Sequence, residues 1–268
     1  MINISSLLLV GCGKMGGALL DGWKRVYFGT HFHIIEPHHA GANDAYVTWH
    51  KNLDSLPENF VSDVIVFAVK PQQLEATLPD YHTRFAKAHP LYISIAAGKT
   101  LEFYRGHLGE HVHIVRAMPN TPALIGKGMT VLCANSTLSA SARKIATDLM
   151  ETVGKVEWLD SESLMDAVTA ISGCGPAYVF LFLQSLVEAG VAAGLPEALA
   201  KSLAAKTVHG SLHLAENSAK SYEELRVEVA SPGGATEAAL QVLMEEDALK
   251  TLLERAVLAA RNRSEELN

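Results

Sequence analysis

At 268 residues, with 49% hydrophobic and 19% charged side chains, the chain describes a globular protein with ample core, in one large domain or two modest ones. A formal net charge of -7, with its 22 Lys and Arg scattered, argues against a nucleic-acid or anionic-membrane surface. The three cysteines, Cys12, Cys133 and Cys174, fit neither a disulfide framework nor a zinc site and read as reduced thiols of a cytoplasmic protein. The opening stretch MINISSLLLVGCG lacks the basic region and long apolar core of a signal peptide.

Ser6–Val10 is a short apolar run suited to a strand buried on both faces. It leads into Gly11-Cys-Gly13-Lys-Met-Gly16 and then a helix, which is the setting a dinucleotide-binding G-x-G-x-x-G requires. Gly11 makes the tight turn, Gly13 lets a pyrophosphate approach the backbone, and Gly16 allows close packing of helix on strand. A second strand, Phe32–Ile35, ends at Glu36, 20 residues after Gly16, where an acid can accept hydrogen bonds from ribose hydroxyls.

Further strands are expected at Asp63–Val69, Leu91–Ala97, Val112–Met118, Gly128–Ala134 and Lys155–Leu159. Helices are expected to begin at Gln72–Leu78 and to run around Ser139–Thr152. This alternation predicts an α/β, doubly wound parallel sheet with ligands at the carboxyl ends of its strands. The turn residues collect at those ends: Gly11–Gly16, Lys70-Pro71, Ala97-Gly98 and Met118–Thr121.

After Asp160 the composition changes to Ala, Leu and Glu at helical spacing. The expected organisation is a Rossmann domain over 1–160 and an all-helical domain over 161–268. Helices are predicted at Ser161–Ser172, Pro176–Ala193, Pro196–Glu216, Tyr222–Val229 and Ala235–Arg261, with Pro176 and Pro196 in first turns. Ala177–Leu195 is apolar enough to suggest a membrane span, but it carries Gln184 and Glu188 one turn apart. It reads instead as a helix buried in a core or in an intertwined dimer. Among the 12 histidines, His209 and His213 have metal-pair spacing without an intervening acid, and His31, His33, His38, His39, His111 and His113 read as surface residues.

The stretch VASPGGATEAAL, Val229–Leu240, is a Ser-Pro-Gly-Gly turn running into a helix. Pro232 restricts one dihedral, Gly233 and Gly234 permit unusual ones, and amides at the helix start form an anion-binding geometry flanked by Ser231 and Thr236. A small carboxylate suits that turn, although the same residues also make an ordinary loop and cap.

Six stretches together resemble the Δ1-pyrroline-5-carboxylate reductases: GCGKMGGALL, FAVKPQQL, SIAAGKTL, VRAMPNTPALIGKGMT, ISGCGPAYVFLFLQSLVEAGVAAGLP and VASPGGATEAALQVL. The resemblance spans nearly the whole chain. It implies reduction of that cyclic imine to L-proline by NADPH or NADH, a homodimer through the helical domain, and in some members a ring of dimers. The scattered charge leaves no expectation of a nucleic-acid or membrane partner. By motif, Gly11, Gly13, Lys14, Met15 and Gly16 would hold the pyrophosphate, and Asn52, with Glu36, would meet the adenosine part. Val69, Lys70, Pro71, Ala97 and Asn120 would line the nicotinamide half. Ser231, Gly233, Gly234 and Thr236 would bind substrate, with the Thr236 hydroxyl at the ring nitrogen as the catalytic group. Two departures stand out. Glu36 occupies a place where many relatives welcome a 2′-phosphate, which weighs toward NADH, while His38 and His39, when protonated, weigh the other way. Cys174 replaces a serine between glycines. The alternatives are a related imine reductase or β-hydroxyacid dehydrogenase, and a dinucleotide-binding regulator without turnover. Ser161–Ser172 has no Lys of the kind hydroxyacid enzymes use.

Overall fold

The computed structural model describes residues 4–27, 29–38, 42–135 and 138–267. The expectations for residues 1–3 and for His39 lie outside them. An eight-stranded sheet forms in the order β3-β2-β1-β4-β5-β6-β7-β8. Its strands are β1 (Ser6–Val10), β2 (His31–Ile35), β3 (Val47–His50), β4 (Val64–Phe67), β5 (Leu91–Ser94), β6 (His113–Met118), β7 (Gly128–Ala134) and β8 (Gly154–Trp158). Pairings from β3 through β6 are parallel. The sheet departs from the all-parallel expectation at β7, which runs antiparallel to β6, while β8 is parallel to β7. Between Met118 and Gly128 there is only a 3-10 turn, Thr121–Ile125. A parallel return needs a crossover of about a dozen residues or more, so the chain doubles back instead.

The apolar runs are continuous because both faces of the sheet are covered. Leu7 and Leu9 of β1 pack with Leu19 and Trp23 of α1 (Lys14–Val26) and with Leu149 and Met150 of α4 (Ala140–Glu151). The alternate residues Leu8 and Val10 pack with Leu74, Leu78 and Phe85 of α2 (Pro71–Phe85) and with Tyr104 of α3 (Leu101–Leu108). Neither β3 nor α3 is expected from the sequence. The strand is a four-residue sheet edge with two half-exposed positions, and the helix is eight residues long, too short for a clear period.

The chain forms two compact units, 1–174 with 260–268, and 175–259. The segment after β8 stays with the sheet, past the change of composition at 160. Glu162 Oε1 accepts hydrogen bonds from Arg116 Nη1 and from the Leu101 amide, both at 2.8 Å. Met165 is fully buried, and the buried Ser264 hydroxyl donates to Asp166 Oδ1 at 2.6 Å. The expected helix Ser161–Ser172 is a 3-10 turn (Glu162–Leu164), one turn of α-helix, α5 (Met165–Val168), and a π turn (Thr169–Gly173).

The second unit holds α6 (Gly175–Ala192), α7 (Glu197–Glu216), α8 (Tyr222–Glu228), α9 (Ala235–Met244) and most of α10 (Ala248–Glu265). The expected single helix Ala235–Arg261 is therefore two. Glu246 and Asp247 adopt left-handed φ values of 50° and 56°. The acidic run Glu245–Asp247 suits the start of α10, where the helix dipole favours negative charge, and is disfavoured at the end of α9. On α6, Val179, Phe180, Leu181 and Phe182 are 48–64% exposed in the single chain. Four consecutive helical residues span about 300° of the circumference, so α6 is apolar on most sides, and exposed apolar surface of that extent marks an interaction surface.

Arg116 is 3% exposed, so its charge depends on Glu162. Glu162→Ala leaves a buried cation unpaired and is expected to lower the stability of the first unit by about 3–5 kcal/mol in urea unfolding, whereas Arg116→Met with Glu162→Leu recovers much of the loss.

Candidate active site

Strands β1, β4, β5 and β6 are mutually parallel, so the segments after them lie along one edge of the sheet. At that edge is a cleft of about 560 Å³. Gly11, Gly13, Glu36, Asn52, Val69 and Lys70 line it, together with His38, Lys51 and the α2 residues Gln73, Thr77, Asp80 and Tyr81. Lys14, Met15, Gly16, Pro71, Ala97 and Asn120 are not among its walls. Lys14, Met15, Gly16 and Pro71 continue the loops that form it, whereas Ala97 and Asn120 belong to the loops after β5 and β6, which contribute nothing to its lining.

The glycines divide the work of the first loop. Gly11 has φ +89°, and a Cβ there would lie 2.9 Å from the Ala68 carbonyl oxygen. A Cβ on Gly16 would lie 2.6 Å from the Gly11 oxygen, so only glycine lets α1 approach β1 this closely. Gly13 faces open space. No side chain caps the start of α1, and its first turn holds no acid. Bare amides, a helix N-terminus and an empty approach fit a pyrophosphate.

Glu36 is half-buried, and its Oε2 accepts from the Cys12 amide at 2.9 Å, while Oε1 lies 3.4 Å from the His38 amide. The acid after β2 is thereby tied to the glycine loop. Burial, and then the negative charges of Glu36 and Asp21, push the Cys12 thiol up to about 11. Asn52 forms a reciprocal cap with Ser55. Its Oδ1 accepts from the Ser55 amide at 3.1 Å, and its own amide donates to Ser55 Oγ at 3.3 Å. An N-x-x-S pattern before the 3-10 turn Leu53–Ser55 is the sequence signal for that cap.

Lys70 is exposed at the start of α2, with its amide donating to Gln73 Oε1 at 3.3 Å. Ala97 is half-buried beside Gly98, which has φ +68° and packs against Leu267. Asn120 is a tie. Its Oδ1 accepts from the Met129 amide at 2.8 Å, and Nδ2 donates to the Ser172 carbonyl at 3.1 Å.

In the second unit, Gly233 has φ +69°, the left-handed conformation its place in the turn requires. A Cβ on Gly234 would lie 2.9 Å from the Ser231 oxygen, which accepts the Gly234 amide at the same distance. The Gly233 amide donates to Glu237 Oε2 at 2.7 Å. The amides of Gly233 and Gly234, expected to meet a carboxylate, are thus both engaged within the turn, while no side chain caps the start of α9. Ser231 and Thr236 are exposed.

The histidines on β2 and β3 do not read as surface residues in the structure. His33 Nδ1 pairs with His50 Nε2 at 3.0 Å, and His31 Nε2 with Thr48 Oγ1 at 2.8 Å. Burial first, then His31 and His50, push His33 down to about 4. These contacts cross between β2 and β3, a pairing that no local pattern in the sequence signals.

The fold and the loops define a Rossmann-type oxidoreductase whose dinucleotide-binding domain precedes a helical one. Residues 6–98 match a family model described as NADP oxidoreductase coenzyme F420-dependent, and residues 162–267 match one described as pyrroline-5-carboxylate reductase dimerisation. A Synechocystis pyrroline-5-carboxylate reductase is 38% identical over 97% of each chain. The Plasmodium falciparum pyrroline carboxylate reductase with NADP bound superimposes with a TM-score of 0.82 at 32% identity, covering 98% of this chain and 99% of that one. The Coxiella burnetii pyrroline-5-carboxylate reductase gives 0.88 at 33% identity, covering 99% of each. This chain belongs to the pyrroline-5-carboxylate reductase family.

Since alkylation proceeds through the thiolate, Cys12 is expected to react slowly with iodoacetamide at pH 8 and to accelerate up to about pH 11. Labelling rates followed by mass spectrometry check this, and Glu36→Gln moves the inflection to lower pH.

Proposed function

We propose that this protein reduces Δ1-pyrroline-5-carboxylate to L-proline with a hydride from NAD(P)H, the last step of proline biosynthesis. The observation that carries the reading is family membership over almost the entire chain, with both the bare glycine loop after β1 and the Ser231–Thr236 turn present.

Bound reduced nicotinamide supplies the hydride that the imine carbon accepts. The chain's own task is to bind, orient and manage a proton. Gly11, Gly13, Lys14, Met15 and Gly16 hold the pyrophosphate on the α1 amides, with Glu36 and Asn52 on the adenosine side. Val69, Lys70, Pro71, Ala97 and Asn120 shape the nicotinamide half, where Asn120 acts by holding its neighbours in place. The substrate carboxylate rests on the Ser231–Thr236 turn, on the amides around Gly233 and Gly234, with Ser231 beside them and the N-terminus of α9 adding to the attraction. The Thr236 hydroxyl orients the proton on the ring nitrogen, since addition of hydride to the C=N carbon leaves an amine that must end protonated. No strong base or nucleophile is needed, and the rate comes mainly from proximity and orientation.

Glu36 favours NADH. Its carboxylate, fixed by the Cys12 amide, can accept from a ribose 2′-hydroxyl and would repel a 2′-phosphate. The protein works as a cytoplasmic homodimer through the apolar faces of its helical unit, with dimers closing further into a ring. The segment Glu162–Ala192 is long and apolar enough to cross a membrane by length and composition alone. Its Gln184–Glu188 hydrogen bond at 2.9 Å and its place in a dimerisation domain favour a second copy of the chain as its partner.

Loss of reduced-nicotinamide absorbance on adding Δ1-pyrroline-5-carboxylate tests the reaction; no turnover with either cofactor would sink it. Thr236→Ala is expected to lower kcat about ten- to thousand-fold with the fold intact. Glu36→Ser is expected to raise the NADPH-to-NADH ratio of kcat/KM by about tenfold or more, equivalent to roughly 1.4 kcal/mol.

A further inference from the structure

The turn assigned to the substrate carboxylate already holds a carboxylate of its own. Glu237 lies at the third position of α9, and its Oε2 accepts from the Gly233 amide at 2.7 Å. A charged acceptor makes this a stronger bond than a neutral one, and it places a full negative charge in the first turn of α9. Two carboxylates cannot share that small cluster of donors without mutual repulsion.

We propose that Glu237 is an internal competitor for the substrate site, displaced from the Gly233 amide when a substrate or product carboxylate binds and returning as product leaves. The inference rests on reading the Ser231–Thr236 turn as the carboxylate site. Glu237 then sets affinity rather than chemistry, weakening the hold on the cyclic imino acid and on L-proline by the same factor because both present the same group. The surroundings allow the movement: Gly233, Ser231 and Glu237 are all exposed, and a Cβ on Gly233 would meet nothing within 4 Å. The competing role is a helix cap, in which an acid at this position merely satisfies a backbone donor.

Glu237→Gln keeps an oxygen for the Gly233 amide without the charge, and Glu237→Ala removes both. Steady-state kinetics on the full-length protein, with calorimetric titration of L-proline, separates the roles. The expected result is a KM for the imine and a Kd for proline both lower by about 3- to 10-fold in at least one variant. Equal or weaker proline binding in both, with a lowered Tm in Glu237→Ala, would mark a cap and overturn the inference. Failure of the wild-type protein to turn over the imine would remove the functional reading by itself. The proline titration would still decide the matter: tighter binding by a variant sustains the competitor, and no binding by any form refutes it.

Discussion

The nucleotide end of the sheet depends on the close approach of Gly16 to the carbonyl of Gly11, where a single added carbon would sit 2.6 Å from oxygen. That contact lets α1 lie against the end of β1 with its first amides bare and pointing along the sheet edge. Parallel strands make the consequence general. Because β1, β2, β3 and β4 share a direction, the segments after them arrive at the same edge, and the cleft they line there follows from topology. Were α1 held off by a side chain, the amides and the neighbouring Ala68–Lys70 loop would lose their common face.

A second constraint comes from charge in the core. Arg116 is carried into the sheet by β6, and the carboxylate it needs comes from Glu162, 46 residues later. The same oxygen accepts the first amide of α3. One acid therefore holds the segment after β8, the start of α3 and a strand of the sheet together, and buried Met165 with the Ser264–Asp166 and Asn120–Ser172 hydrogen bonds keeps the chain in the first compact unit beyond it.

The helical unit has the opposite character. Its large side chains are exposed in the single chain, and Ala200 and Ala204 are the buried apolar residues that α7 contributes. Such a surface is costly for a lone molecule in water and natural for one that buries it against another copy. The turn before α9 is small and rigid by comparison, set by a left-handed Gly233 and by the crowding of Gly234 on Ser231.

The sequence by itself determined the fold class, the positions of the long apolar strands, the glycine loop and the Ser-Pro-Gly-Gly turn. Each of these is written in adjacent residues, as an apolar run, a glycine spacing or a proline beside glycines. The tertiary structure alone decided the rest. The edge strand β3 exists because Val47–His50 pairs with β2, and with it came the His33–His50 contact. The antiparallel β7 and the Arg116–Glu162 pair join residues with no local signal in the sequence, and the Glu36–Cys12 tie joins two segments that the sequence marks separately without linking them. Their partners are chosen by packing, and packing brings together side chains that no local pattern links.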